Sequence, residues 1–315
     1  MDAIELLYLV SSVLFILGLR GLTSPLTARR GVLLAELGML CAVWGTLLHP
    51  EIVTLRWIVI SALIGSVIGI AMSALIPMTK MPERIALSHA FGGLAAALVG
   101  VSEYHHEMHT LGHMETMKMA AIGFEVMFGA VTFTGSLMAF GKLQGMVTSR
   151  NVTYPLQNQS NMALFAAMVF LLVAITVNPA QPAIFYSLFF LGMVLGVLMV
   201  TPIGGADMPV VIALLNSYAG LAASATGFAL ENNVLIIAGA LDGASGFILS
   251  IVMSKAMNRS FRNVLFGAFG KIDEEVAARV GAGGGEVREA SVGDTAMLLS
   301  GAQSVIIVPG YGMAV

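Results

Sequence analysis

Four ionisable side chains interrupt long apolar stretches of this chain: Glu36, His89, Glu125 and Asp242. A charged group at the centre of a membrane helix costs about 2.5 to 3.5 kcal/mol on insertion scales, so each is a functional candidate by default. His89 carries the clearest signal. In SHAFGGLAAALVG it is followed at i+3, i+4, i+7 and i+11 by Gly92, Gly93, Ala96 and Gly100, a stripe of small residues on which a neighbouring helix packs closely. The imidazole is therefore expected to face protein rather than lipid. Free imidazole titrates near pH ~6.5 and exchanges a proton with little driving force, the property a proton relay needs. The alternative is a neutral ring bonded to a backbone carbonyl.

Three further stripes resemble it. Asn216 in NSYAGLAASATG is followed on one face by Gly220, Ala223, Ser224 and Gly227; its amide does not titrate, but it donates and accepts, so it can steady an imidazole or simply join two helices. Glu125, Gly129, Thr132 and Ser136 form a third stripe, and Asp242 with Gly239, Ser245 and Gly246 a fourth. Glu36 has mostly apolar helix neighbours. Asp207 lies in TPIGGADMP, a Gly/Pro turn at the edge of an apolar run. The other five histidines, His49, His105, His106, His109 and His113, read as belonging to external loops. Four of them lie in EYHHEMHTLGH, whose spacing matches no defined zinc pattern, and no metal is expected there.

The elements that must position these groups are membrane helices. Hydrophobic residues make up 57% of the chain and charged residues 10%, against roughly 25% charged in a soluble domain, so a soluble globular fold is excluded. Nine apolar runs are long enough to cross about 30 Å of hydrocarbon, near 3–19, 31–48, 55–76, 85–101, 117–140, 160–177, 183–200, 208–229 and 234–256. They lack the period-2 alternation of a barrel, which leaves an all-α polytopic bundle. The first run reads as a retained span, not a leader, because Asp2 and Glu5 precede it in place of basic residues. Gly65/Gly69 and Gly192/Gly196 read as helix packing sites. Arg20, Arg29, Arg30, Lys80, Arg84, Lys142, Arg150, Lys255, Arg259 and Arg262 fall on one side of the nine spans, and Arg56 and Lys118 on the other. That asymmetry places the N-terminus outside and the C-terminal tail in the cytoplasm.

Past the last span the composition changes. Residues 1–256 form the helical domain, 257–290 a basic and glycine-rich hinge and linker, and 291–315 an ordered segment. Ser291 and Asp294 have capping-box spacing before a short helix, and β-branched Ser304–Val308 reads as a strand entering Gly310-Tyr311-Gly312. A strand running into Gly-x-Gly is the phosphate-cradling turn of dinucleotide-binding folds, although an ordinary strand-turn-helix has the same grammar.

GAVTFTGS, IGGADMPVV, LLNSYAG, SKAMNRSF and VIIVPGYGMAV, in this order, resemble the β subunit of proton-translocating nicotinamide nucleotide transhydrogenases. The resemblance implies nine membrane helices followed by a Rossmann-like NADP(H)-binding domain, here stopping soon after its start and expected to hold NADP(H) poorly by itself. It implies hydride transfer from NADH to NADP⁺ coupled to inward proton movement across a bacterial cytoplasmic (inner) membrane. It further implies NAD(H) on an alpha subunit, a homodimer of the assembled protomer in the lipid bilayer, and no nucleic-acid partner. By the same resemblance His89 and Asn216 belong to the proton pathway, and Ser136 ends the family-like VTFTGS; Glu125 and Asp242 are assigned to the pathway with them from their intramembrane positions, the resemblance giving no role to Asp242 or Glu36. Asp207, Lys255 and Arg259 would then couple the membrane part to the nucleotide domain, and Gly310, Tyr311 and Gly312 bind NADP(H). Two rival readings use the same residues: an ion or proton transporter or channel with a cytoplasmic nucleotide-sensing domain, and a non-catalytic membrane anchor.

Overall fold

The computed structural model describes residues 3–50, 52, 54–110, 112–150, 152–257 and 291–306. Among the described residues, nine helices are long and apolar enough to cross a membrane. They are α1 (Ala3–Leu22), α2 (Pro25–Leu47), α3 (Arg56–Leu75), α4 (Met81–Thr110), α5 (Thr116–Leu143), α6 (Gln157–Val177), α7 (Pro182–Val200), α8 (Met208–Ala229) and α9 (Asn233–Ala256). Short 3-10 turns, Met78–Lys80 and Gly205–Asp207, lead into α4 and α8.

Local sequence sets several of these boundaries. Pro25, Pro182 and Pro209 stand in the first turns of α2, α7 and α8, where a missing N–H costs nothing. The Asn232 side chain caps α9 by accepting the Leu235 N–H at 3.1 Å. The two helices α4 and α5 are longer than the expected spans 85–101 and 117–140. As a result His105, His106 and His109 lie on the last turns of α4, not in a loop. The polar run 103–110 keeps helical form because Glu103 and Glu107, one turn apart, share Lys118 across the α4–α5 turn at 2.7 and 2.6 Å.

The helices α5 and α8 form the interior. The helix α5 packs against α4, α6, α7 and α8, and α8 against α4, α5 and α9. The pair α1–α2 touches this body chiefly through α9, and α3 has no extensive contact with any other helix. Small residues explain the tightest pairings. A Cβ added to Gly93 of α4 would sit 2.9 Å from Gly129 O of α5, and one added to Gly129 would sit 2.8 Å from Gly93 O. At the α8–α9 seam a Cβ on Gly220 would stand 2.6 Å from Gly243 Cα and 2.8 Å from Gly239 O. Of the two Gly-x-x-x-Gly pairs, Gly192 and Gly196 pack against α5, whereas Gly65 and Gly69 face open space within this chain.

Beyond the bundle, α10 (Val292–Gly301) opens with the expected capping box. Asp294 N–H donates to Ser291 Oγ and Ser291 N–H to Asp294 Oδ2, each at 3.2 Å. The Ser291 hydroxyl, together with its backbone N–H, holds the Asp294 carboxyl below the usual carboxylate range. The strand expected over 304–308 is not formed in its described part, 304–306. A strand needs a neighbour to complete its ladder, and there is no other strand among the described residues. Residues 307 onward, with Gly310, Tyr311 and Gly312, lie outside the described residues.

Close approach at Gly220 has a measurable consequence. Gly220→Val is expected to overpack the α8–α9 seam and cost about 1–3 kcal/mol, read as a lower Tm of the detergent-solubilised protein. Gly65→Val, with nothing within 4 Å of the added Cβ, is expected to leave Tm nearly unchanged. Equal shifts would show that the seam does not depend on glycine.

Candidate functional site

Three helices bring the first group together. His89 projects from α4, Asn216 from α8 and Asp242 from α9. Asn216 Nδ2 donates to Asp242 Oδ1 at 3.0 Å. The same amide lies within hydrogen-bonding reach of the His89 imidazole, on which the Asp242 carboxylate also acts electrostatically. His89 Nδ1 is buried and has no protein partner. The amide can lie flat on α9 because the residue beneath it is Gly246, where a Cβ would stand 2.8 Å from Asn216 Nδ2. Orientation follows from chemistry: a carboxylate only accepts, so the amide turns its NH₂ toward Asp242 and leaves Oδ1 for a neighbouring donor.

His89 and Asn216 line a groove of about 780 Å³ whose other walls include Met81, Pro209, Ser245 and Met253. Thr23 after α1, Pro82 at the start of α4, Pro209 at the start of α8 and Met253 near the end of α9 all belong to the end of the bundle that carries Arg20, Lys80 and Lys142. The groove therefore runs from His89 toward that basic end. Asp242 is exposed at its edge.

A second polar series lies on α5. Glu125, Thr132 and Ser136 are separated by 7 and 4 residues and share one face over about 16 Å. All three are buried, and both Glu125 carboxyl oxygens, Thr132 Oγ1 and Ser136 Oγ lack a protein partner. Thr226 lies beside the Glu125 carboxyl but gives its hydrogen to Ala222 O at 3.0 Å. Buried groups of this kind each cost about 1–3 kcal/mol when left unpaired, and they are the groups that ordered water serves.

Helix register joins the two groups. Gly93 of α4 faces Thr132 of α5, and Gly100 faces Glu125, so each step along α4 is matched by one in the opposite direction along α5. His89 therefore stands level with Ser136. At the other end of the same seam, beyond Glu125, lies the Glu103–Lys118–Glu107 cluster. The polar series thus extends from that cluster to His89, and the groove continues from His89 to the basic end.

The remaining expected residues lie apart from it. Asp207 is buried at the N-cap of α8, nine residues before Asn216, while Lys255 is exposed in the last turn of α9. Glu36 is exposed on α2 and joins neither group. Arg259 and the Gly310-Tyr311-Gly312 turn lie outside the described residues. Two features depart from the sequence reading. Glu103 and Glu107 fall in a polar run that reads as a loop, although their i,i+4 spacing is the signal that places both on one helix face. Lys142, which reads as a loop charge, is fully buried in the last turn of α5.

A profile of the NAD(P) transhydrogenase beta subunit family matches residues 4–315. The NAD(P) transhydrogenase subunit beta of Rhodospirillum rubrum is 44% identical over 314 residues, covering 98% of this chain and 67% of that protein. A second Rhodospirillum rubrum sequence of the same name, from a defined strain, gives the same figures. A match that runs from α1 through the C-terminal segment, at this identity, establishes that the chain belongs to the NAD(P) transhydrogenase beta subunit family.

Proposed function

We propose that this chain is the membrane part of a proton-pumping NAD(P)⁺ transhydrogenase, coupling hydride transfer from NADH to NADP⁺ to proton movement across a bacterial inner membrane. The observation that carries the reading is the convergence of His89, Asn216 and Asp242 from three helices distant in sequence. NADP(H) would supply the hydride chemistry on a C-terminal domain that begins in the Rossmann-like segment 291–315, with Gly310, Tyr311 and Gly312 at its phosphates. The described residues handle the proton.

On this reading the Glu103–Lys118–Glu107 end faces outward and the basic end faces the cytoplasm, as the distribution of Lys and Arg favours. A proton enters along Glu125, Thr132 and Ser136, through water held by their unpaired oxygens, and reaches His89. Asn216, fixed by Asp242, accepts an N–H of the imidazole and holds the ring between the outer series and the inner groove. Release goes down the groove toward Asp207, and Asp207, Lys255 and Arg259 pass the change to the nucleotide domain. One charge crossing 100 mV supplies about 2.3 kcal/mol, or roughly 50-fold in an equilibrium ratio, which suffices to bias a transfer between two nearly identical nicotinamides.

The exposure of Asp242 favours a second chain in the membrane, since an acidic group within a span is stable against protein or water and not against acyl chains. We assign that cover to a membrane-embedded part of the alpha subunit(s), whose soluble part brings NAD(H), and the assembled protomer to a homodimer.

Three measurements test the reading. In the assembled complex in vesicles, His89→Ala is expected to abolish proton pumping as followed with a pH-sensitive dye; undiminished pumping would remove His89 from the path. Glu125→Gln keeps the volume and loses the titrating group, so proton flux is expected to fall by about a hundredfold, the scale of losing a positioned proton-transfer group. A flux equal to that of the parent protein would leave the outer series without function. Purification from the native membrane is expected to recover a soluble NAD-binding subunit with this chain, and its consistent absence would favour the anchor or transporter readings.

A further inference from the structure

A lysine at the end of a membrane helix ordinarily extends toward water and the headgroups. Lys142, in the last turn of α5, does the opposite and is fully buried. Its Nζ donates to Thr201 O, to Ile203 O at 2.8 Å and to Arg150 O at 3.5 Å, so the three donors of one ammonium meet three backbone carbonyls. Two of those carbonyls belong to residues 201–204, which lie between α7 and the 3-10 turn that carries Asp207. Thr201 is held to the end of α7, its N–H and hydroxyl donating to Val197 O at 3.0 and 2.7 Å, but beyond it the segment's own bonds are few: Ile203 N–H to Val200 O and Asp207 N–H to Gly204 O, each at 3.1 Å.

A second set of contacts closes the arrangement from the other side. Ser149 Oγ donates to Lys142 O at 2.8 Å, and Gly205 N–H donates to Ser149 O at 3.0 Å. The loop after α5 can double back to make these contacts because Gly145 adopts φ +72°, a conformation open to glycine. The turn carrying Asp207 is thus tied to the end of α5 through one ammonium and one serine. An apolar side chain would fill the same space without the cost of burying a charge, so packing alone does not account for a lysine here.

We propose that Lys142 is a positioning residue, clamping residues 201–205 so that Asp207 and the first turn of α8, with Asn216 further along the same helix, keep their place at the basic end of the groove. Its consequence for coupling rests on the proton-pumping reading above; the clamp itself does not.

The test uses the assembled complex in vesicles and compares Lys142→Met, Ser149→Ala and the parent protein by two readouts. One is amide hydrogen exchange at residues 203–207, and the other is protons pumped per hydride transferred. Lys142→Met is expected to speed exchange at Gly205 and Asp207 by about tenfold or more while exchange in the middle of α8 stays unchanged, and to at least halve the proton-to-hydride ratio. Ser149→Ala is expected to shift both readouts in the same direction by less. Unchanged exchange overturns the clamp. Faster exchange with an unchanged ratio overturns the positioning role and leaves a local staple. Should Lys142→Met fail to assemble, Ser149→Ala decides by the same two criteria. A parent complex that pumps no protons would refute the proposed function, while the exchange measurement would still decide the clamp.

Discussion

A polar group inside a membrane helix must be met by another polar group, and side chains of ordinary size keep helices too far apart for short ones to meet. The Asn216–Asp242 hydrogen bond, at 3.0 Å, is the point where this constraint is satisfied. It depends on glycine at both helix surfaces. Gly220, Gly239 and Gly243 bring the backbones of α8 and α9 into contact, and Gly246 leaves room for the amide. With the amide held from behind by Asp242, the His89 ring has one fixed neighbour and one unpaired nitrogen. Everything proposed for the site follows from that fixed orientation.

The α4–α5 seam applies the same logic differently. Gly93 and Gly129 bring these helices close, yet Glu125, Thr132 and Ser136 on that face have no protein partners. A packing interface selected only for stability would not retain four unpaired oxygens at about 1–3 kcal/mol each. Their alignment over about 16 Å, ending level with His89, gives the cost a purpose on the proposed reading, because a group without a protein partner is free to bind water and pass a proton.

Much of this was legible because two physical signals are strong in sequence. Long apolar runs gave nine spans with edges mostly within a few residues, and glycines beside His89, Asn216, Glu125 and Asp242 marked helix faces that pack closely, with the exception of Gly92, which is exposed with open space around it while Gly93 and Gly100 meet α5. Charge in place of hydropathy was misleading at the ends. Residues 103–110 are polar and looked like a loop, whereas their shared ion pairs with Lys118 keep α4 helical to Thr110. The inward turn of Lys142 had no local signal, since two of its three acceptors, Thr201 O and Ile203 O, belong to residues 59 and 61 positions away. The Gly65/Gly69 pair shows the converse: spacing marks a surface able to pack, and does not say that this chain supplies the partner.

On the proposed reading the two routes to His89 differ in kind, and the difference bears on coupling. Toward the Glu103–Lys118–Glu107 end the series is enclosed between tightly packed helices, where the proposed relay would run through water held by the unpaired oxygens. Toward the basic end the groove is about 780 Å³ and is walled partly by helix termini and turns, the parts of a bundle that shift most easily. A pump needs one barrier that stays fixed and one that responds to chemistry elsewhere, because a path open at both ends dissipates the gradient. The glycine-packed seam suits the fixed barrier. The basic end, where Asp207 sits at the start of α8 and Lys255 at the end of α9, suits the responsive one. A small displacement of either helix there would move Asn216 or Asp242 relative to His89, and so change which way the imidazole can deliver its proton.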